Sequence, residues 1–362
     1  MSKNRSGADF KLIEKIFDQL SSSVAIAMLK NERLTYEFYG GRKAAQAEAG
    51  DEGARPKKGF MQPKKNAARP AEPGVSRTTR FNLGSASSMF TGALAVKLME
   101  FDELRLGDPV NRFIPEFVND DVTAYHLLTQ TSGLACESLP LPDNKAAKNE
   151  FYRKLYGGLK QAAAPGAKSG YFQYNYAILA DIIERISGRE LEELASVLLF
   201  IPLNMKHTTY FGSALKDGQY VIPWNHKENR FMGELHGKQP TGHTGIYTTA
   251  LDLVRFGRMF LNGGECEGKT VFLESSAEFM LREVTGGRYM RTPLFYIKRN
   301  VDIYGCFSET LSPEAVALTG DTGCMLFIDP ARRTAGAALA NSTWVHSVSQ
   351  NYSNIVDILA SI

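Results

Sequence analysis

The chain has 362 residues, 43% of them hydrophobic and 22% charged, the balance of a soluble globular protein with room for one large domain or two coupled ones. A net charge of only +3 does not advertise a nucleic-acid partner over the whole surface, and no run of about 18 apolar residues is present to span a membrane. The four cysteines, Cys136, Cys266, Cys306 and Cys324, have neither C-x-x-C nor Cys/His ligand spacing, so free thiols in a reducing compartment are expected, with no metal and no cofactor.

The N-terminal MSKNRSGADFKLIEKIFDQL lacks an apolar core followed by a small-residue cleavage site. It reads as an amphipathic helix with Phe10, Ile13, Ile16, Phe17 and Leu20 on one face, and the expected location is the cytoplasm. SSVAIAMLKNERLTYEFYGG reads as two strands around a turn at Asn31-Glu32. Residues 41–80 then carry ten Lys/Arg against four Asp/Glu, a local +6 that leaves −3 for the rest. The 41–76 stretch, with its Lys-Lys pairs and prolines, reads as a disordered or loosely held surface insertion whose charge also suits an acidic partner or an anionic surface.

TTRFNLGS leads into a helix opened by Ser85, and SASSMFTGALAVKLMEF is apolar nearly all round, as a buried central helix would be. AYHLLTQTSG reads as a helix to Gly133, AILADIIERISG as one to Gly188, ELEELASVLLF as another, and TALDLVRFGRMFLNGG as an amphipathic helix stopped by Gly263-Gly264. The period then changes: EAVALTG, GCMLFIDP and RTAGAALANST read as strands, and NYSNIVDILASI as a closing helix. Strands at both ends with helices between imply a sheet built from residues 1–84 and 250–362, with a mostly helical domain, 85–249, inserted between them.

Taken in order, TTRFNLGSASSMFTGALAVKLMEFDELRLGDPVNRFIPEF, HLLTQTSGL, PGAKSGYFQYNYAILADIIERISG, IPLNMKHTTYFG, GIYTTALDLVRFGRMFLNGG and LTGDTGCMLFIDP resemble the penicillin-binding-protein and serine β-lactamase family. The likeness is closest to its class C β-lactamase, D-aminopeptidase and family VIII esterase branch. It covers roughly residues 78–362. It implies an α/β part plus an all-α part, an antiparallel sheet flanked by helices, and a cleft between them. It also implies a serine hydrolase or acyltransferase acting on a small-molecule or peptide-like substrate.

The resemblance implies three motifs. S-x-x-K falls on Ser85-Ala86-Ser87-Ser88, with the nucleophile kept and the lysine replaced by Ser88. Y-x-N falls on Tyr171-Phe172-Gln173, with the tyrosine kept and Gln173 in place of asparagine. The third motif, normally K-T-G or H-x-G, falls on Leu318-Thr319-Gly320 in an ungapped count back from Asp329-Pro330. A frame with three residues deleted would place it on Asp321-Thr322-Gly323. Neither frame supplies a cation. His243-Thr244-Gly245 mimics the motif but falls on the family's separate glycine turn.

A serine hydroxyl is a poor nucleophile without a base in hydrogen-bond reach. Lys97 lies about 18 Å along the same helix, and Lys168 sits in what reads as a solvent-facing turn. Ser85 and Tyr171 are thus the candidate catalytic pair, with Ser88, Gln173, Leu318, Thr319 and Gly320 lining the substrate site. The amide of Ser85 and the backbone N–H two residues past Gly320 are the candidate oxyanion donors. Two outcomes follow from the substitutions: a hydrolase of weak or altered activity, or a family member that binds an acyl or peptide-like ligand without turnover.

Overall fold

A computed structural model of the chain describes residues 23–41, 74–117, 119–210, 219–228, 230–232, 238–299, 306–343, 353 and 355–357. The expected N-terminal helix and nearly all of the basic insertion lie outside the described residues. Of the closing helix, residues 353 and 355–357 are described, and they are helical.

Six strands form one antiparallel sheet: β1 (Ser23–Lys30), β2 (Arg33–Gly41), β3 (Tyr296–Ile297), β4 (Val316–Thr319), β5 (Met325–Asp329) and β6 (Thr334–Ala340), in the spatial order β3-β4-β5-β6-β1-β2. The sheet is therefore assembled from both ends of the sequence, Val24 pairing with Ala340 and Lys30 with Thr334. The β1–β2 turn has positive φ at both Asn31 (48°) and Glu32 (66°), the primed geometry that matches the twist of its strands.

Alternation sets the two faces. Ala25, Ala27 and Leu29 join Leu326, Ile328, Ala335, Ala337 and Leu339 in the core shared with the helices. Val24, Ile26 and Met28 join Met325, Phe327 and Ala338 on the other face, under Phe307, Leu311, Ile355 and Val356. The ring of Phe327 lies across Gly336, its register partner, where a Cβ would meet the ring at 2.3 Å.

Three helices matter for the site: α1 (Ser88–Glu100), α2 (Tyr174–Ser187) and α3 (Ala250–Leu261). The amphipathic α3 lies against β1, β5 and β6. Its Gly257 permits the approach, since a Cβ there would stand 3.0 Å from Ala335 Cβ. The sequence α1 carries is buried along almost its whole length, as its all-round apolar pattern predicts. Phe90 anchors it between Phe256 (centroids 4.6 Å apart) and Phe200 (5.5 Å). No helix among the described residues is long and apolar enough to cross a membrane.

Two helix expectations need correction. The helix expected to reach Gly133 spans only Ala124–Leu128, because Gln130 takes a left-handed conformation (φ 58°) and the Thr129 hydroxyl bonds back to Tyr125 O at 2.7 Å. The segment expected as one helix over 191–200 is α-helical at Leu191–Ala195 and continues as a wider π-type turn over Ser196–Phe200.

Candidate active site

The turn that carries Ser85 is built by Asn82 and Gly84. The strand Arg80–Asn82 ends with the Asn82 side chain accepting the Gly84 N–H at 2.7 Å. Leu83 N–H reaches across to Ile246 O at 2.9 Å, and the chain turns through Gly84 at φ +54°. Residues Gly84–Ser87 form a 3-10 turn, and α1 starts at Ser88 rather than at Ser85. The correction preserves the expected geometry, since side chains three apart eclipse in a 3-10 turn. Ser85 is half-buried. Ser88 is 1% exposed, and its hydroxyl has no hydrogen-bond partner among the described residues. A buried polar atom thus stands unsatisfied where the motif's amine would be.

The end of β4 closes one side. Leu318 is 3% exposed and packs in the helix-side core, while Thr319 is half-buried. Gly320 lets the backbone approach the Ser85 turn, since a Cβ would fall 2.0 Å from Leu83 O. Gly320 N–H donates to Cys324 O at 2.7 Å, and Thr322 donates its hydroxyl to Asn82 O at 2.6 Å. Asp321 is exposed, and its Oδ1 accepts the Ser85 N–H at 2.9 Å. A carboxylate therefore holds one of the two candidate oxyanion donors.

The opposite side is the Tyr171 loop, which is clamped from Gln130. Its carbonyl accepts Gly170 N–H at 3.1 Å. Its side-chain oxygen accepts from Phe172 N (2.8 Å) and Asn175 Nδ2 (2.7 Å), and Asn175 in turn accepts from Ser132 Oγ at 2.7 Å. Tyr171 shows 47% of its surface to solvent, while its phenol reaches in beside the Ser85 side chain. Desolvation pushes the phenol well above its ordinary pKa. The Asp321 carboxylate and Tyr176 and Tyr296 push it further, and the neighbouring Ser85 hydroxyl pulls it part of the way down. Gln173 stands at the start of α2, half-buried, and neither it nor Thr319 hydrogen-bonds Ser85 among the described residues.

The remaining candidates lie elsewhere. Lys168 is exposed. Lys97 is engaged far down α1 by Glu100 at 2.6 Å and Val271 O at 2.5 Å, with Phe272 beneath it at 4.9 Å. His243 is buried beside Thr241 Oγ1 (3.2 Å), stacked on Phe151 and edge-on to Tyr174. Burial pushes it down to about 4, against the Thr241 backbone bond and the Asp321 charge, which act the other way.

Sequence reasoning missed three features: the position of Asp321 on the Ser85 amide, the Gln130–Asn175 clamp, and a neighbouring cavity of about 240 Å³. That cavity is lined by Tyr171, Arg288, Tyr289, Arg291 and Tyr296, with the Arg291 guanidinium 4.7 Å over the Tyr296 ring. The arginines come from a stretch without motif or period. Gln130 lies within the quoted HLLTQTSGL, which was the available signal for the clamp.

The Beta-lactamase family model matches residues 13–358. A relative described as a beta-lactamase, from Escherichia coli (strain K12), is 27% identical over 202 residues, 54% of this chain and 52% of that protein. The chain thus spans about half the length of that relative. A putative D-alanyl-D-alanine carboxypeptidase from Salmonella agona (strain SL483) is 23% identical over 315 residues, 75% of this chain and 71% of the relative. Among solved structures, EstCE1, described as a hydrolase with promiscuous acyltransferase activity, superposes with a TM-score of 0.72 at 17% identity, covering 98% of this chain and 100% of its own.

Proposed function

The chain belongs to the beta-lactamase family, and from that footing we propose that it is a serine hydrolase or acyltransferase of weak activity, acting through Ser85 on a small ester, amide or peptide. The observation that carries this reading is the placement of the Tyr171 phenol beside the Ser85 side chain, in a cleft that is open to solvent on the tyrosine side. In the step proposed, Ser85 Oγ attacks the carbonyl carbon as its proton passes to Tyr171 in the small fraction of molecules whose phenol is ionised. The leaving alcohol or amine takes that proton, and water or a second alcohol later releases the acyl group.

The weakness follows from the base. An ordinary tyrosine is about 0.1% ionised at pH 7, and burial and Asp321 move Tyr171 further toward the neutral form. Losing a positioned base costs about 10²–10⁴ in rate. The descriptions of the relatives, a carboxypeptidase and a hydrolase with acyltransferase activity, support peptide termini as a substrate class and acyl transfer as the reaction. Substrates that depend on a third-motif cation, β-lactams among them, are expected to be turned over hardly at all.

A second reading, ligand binding without turnover, is favoured by the carboxylate on the Ser85 amide. Intact mass after incubation with a fluorophosphonate or activated acyl probe separates the two. Slow adduct formation on Ser85, absent in Ser85→Ala, supports acyl transfer. Ser88→Lys is expected to raise the labelling rate roughly 10–100-fold, because it places an amine one turn beneath the nucleophile in a desolvated site. An unmodified mass accompanied by a ligand-induced rise in melting temperature supports binding alone.

A further inference from the structure

On the reading that Ser85 carries the chemistry, we propose that Asp321 determines the specificity of this cleft. Its carboxylate is an internal ligand of the Ser85 amide, so the site admits reacting groups that are uncharged or cationic and rejects those that bring a carboxylate or sulfonate to that amide.

The geometry is specific. Ser85 N–H points at Asp321 Oδ1 across 2.9 Å. This amide belongs to the turn that opens the 13-residue α1, where exposed N–H groups and the helix dipole favour an anion. Here the anion is supplied by the chain itself. Gly84 makes room for it: a Cβ at that position would lie 2.1 Å from Oδ1, and the left-handed φ of +54° disfavours any other residue. The Asp321 charge is felt across the cleft, at Tyr171 and at His243. No ion pair among the described residues involves Asp321, and the neighbouring strand position that could have offset it is the apolar Leu318.

Two consequences follow for an incoming ligand. The tetrahedral oxyanion needs the Ser85 N–H, so Asp321 must leave that donor before the transition state is reached. A second anion in the same space meets a like charge at close range, which is unfavourable. A neutral ester pays only the displacement, and an amine-bearing ester gains an attractive partner.

The test compares wild type, Asp321→Asn, Asp321→Ala and Ser85→Ala with three nitrophenyl esters: an acetyl, a succinyl half-ester and an alanyl ester. Acylation of Ser85 is followed by intact mass. The wild type is expected to label in the order alanyl, acetyl, succinyl. Asp321→Asn keeps the shape and removes the charge. It is expected to raise acetyl labelling about 10-fold and succinyl labelling about 100-fold, no more than the roughly 10²–10³ that one oxyanion donor commands. An equal change for all three esters overturns the specificity role. Loss of labelling in Asp321→Asn overturns it as well, and makes Asp321 the base. If no variant labels, the acyl-transfer reading has failed, and Asp321 is judged by benzoate binding in thermal-shift titration. Binding to Asp321→Ala but not to wild type supports the internal ligand, and any other pattern overturns it.

Discussion

Far down α1, Lys97 has its amine bonded to Glu100 and Val271 O and seated on Phe272. In the same helix Thr91 gives its hydroxyl to Gly242 O at 2.7 Å. At the opening of α1, Ser88 is equally buried, but its hydroxyl has no partner among the described residues, and the amide of Ser85 is held by a carboxylate. The body of the helix is satisfied by packing and hydrogen bonds, whereas its opening leaves the Ser88 hydroxyl unpaired among the described residues and draws a carboxylate onto the Ser85 amide. The contrast teaches that the position of Ser85 is held by the core and by Asn82 and Gly84, and does not depend on an amine at position 88. A fold of this kind can keep the place of its chemistry while the chemical groups change.

The largest expected effect tests the packed end. Phe90 is fully buried between Phe200 and Phe256, so Phe90→Ala should cost about 3–5 kcal/mol, read from denaturant unfolding. A loss below about 1 kcal/mol would mean that the core does not hold α1 and would remove the basis of the contrast.

The next effect sits between the two regions, at His243. Its folded pKa is pushed down from 6.5 to about 4, so the unfolded chain binds the proton more readily. The stabilisation is complete above about pH 6.5 and is lost as pH falls toward 4. By pH 5 the loss should reach about 2 kcal/mol, taken at 1.36 kcal/mol per pH unit. His243→Phe should flatten the melting temperature between pH 6.5 and 4 relative to wild type. An unchanged slope would place the titration elsewhere.

The smallest effect is the sharpest test of the unsatisfied turn. Ser88→Ala removes a buried hydroxyl that has no partner among the described residues, so it should stabilise the protein by about 1 kcal/mol, measured as a higher denaturant midpoint at unchanged slope. A loss of that size instead would show that the hydroxyl is paired, and the two ends of α1 would then be alike.

The strands β4, β5 and β6 and the helix α3 were legible because their signals are local: alternation or continuous apolar runs, and a helical stripe stopped by paired glycines. Ser85 and Tyr171 were picked out as motif matches, and both stand at the cleft. What was not legible depends on partners distant in sequence. The 3-10 turn at Ser85 goes with a Gly84 conformation that accommodates Asp321, which lies 236 residues beyond Ser85. The early end of the helix at Leu128 accompanies a left-handed Gln130, whose side chain reaches Phe172 and Asn175, 42 and 45 residues away. Arg288 and Arg291 reach the cavity beside Tyr171 from a stretch with no period to announce them.

The pairing of β1 with β6 sets a temporal order on the protein. Val24 must find Ala340 and Lys30 must find Thr334, so a synthesising ribosome has to complete more than three hundred residues before the central ladder can close. Until then β1 has only its hairpin partner β2, and a two-stranded ribbon is marginal in water. Contacts this far apart in sequence carry a large loop-closure cost and slow the search. The helices that surround α1 can collapse earlier on local contacts. Nascent chains are therefore expected to pass through a stage in which the Ser85 turn already has its helical support, but the Asp321 side of the cleft has yet to arrive.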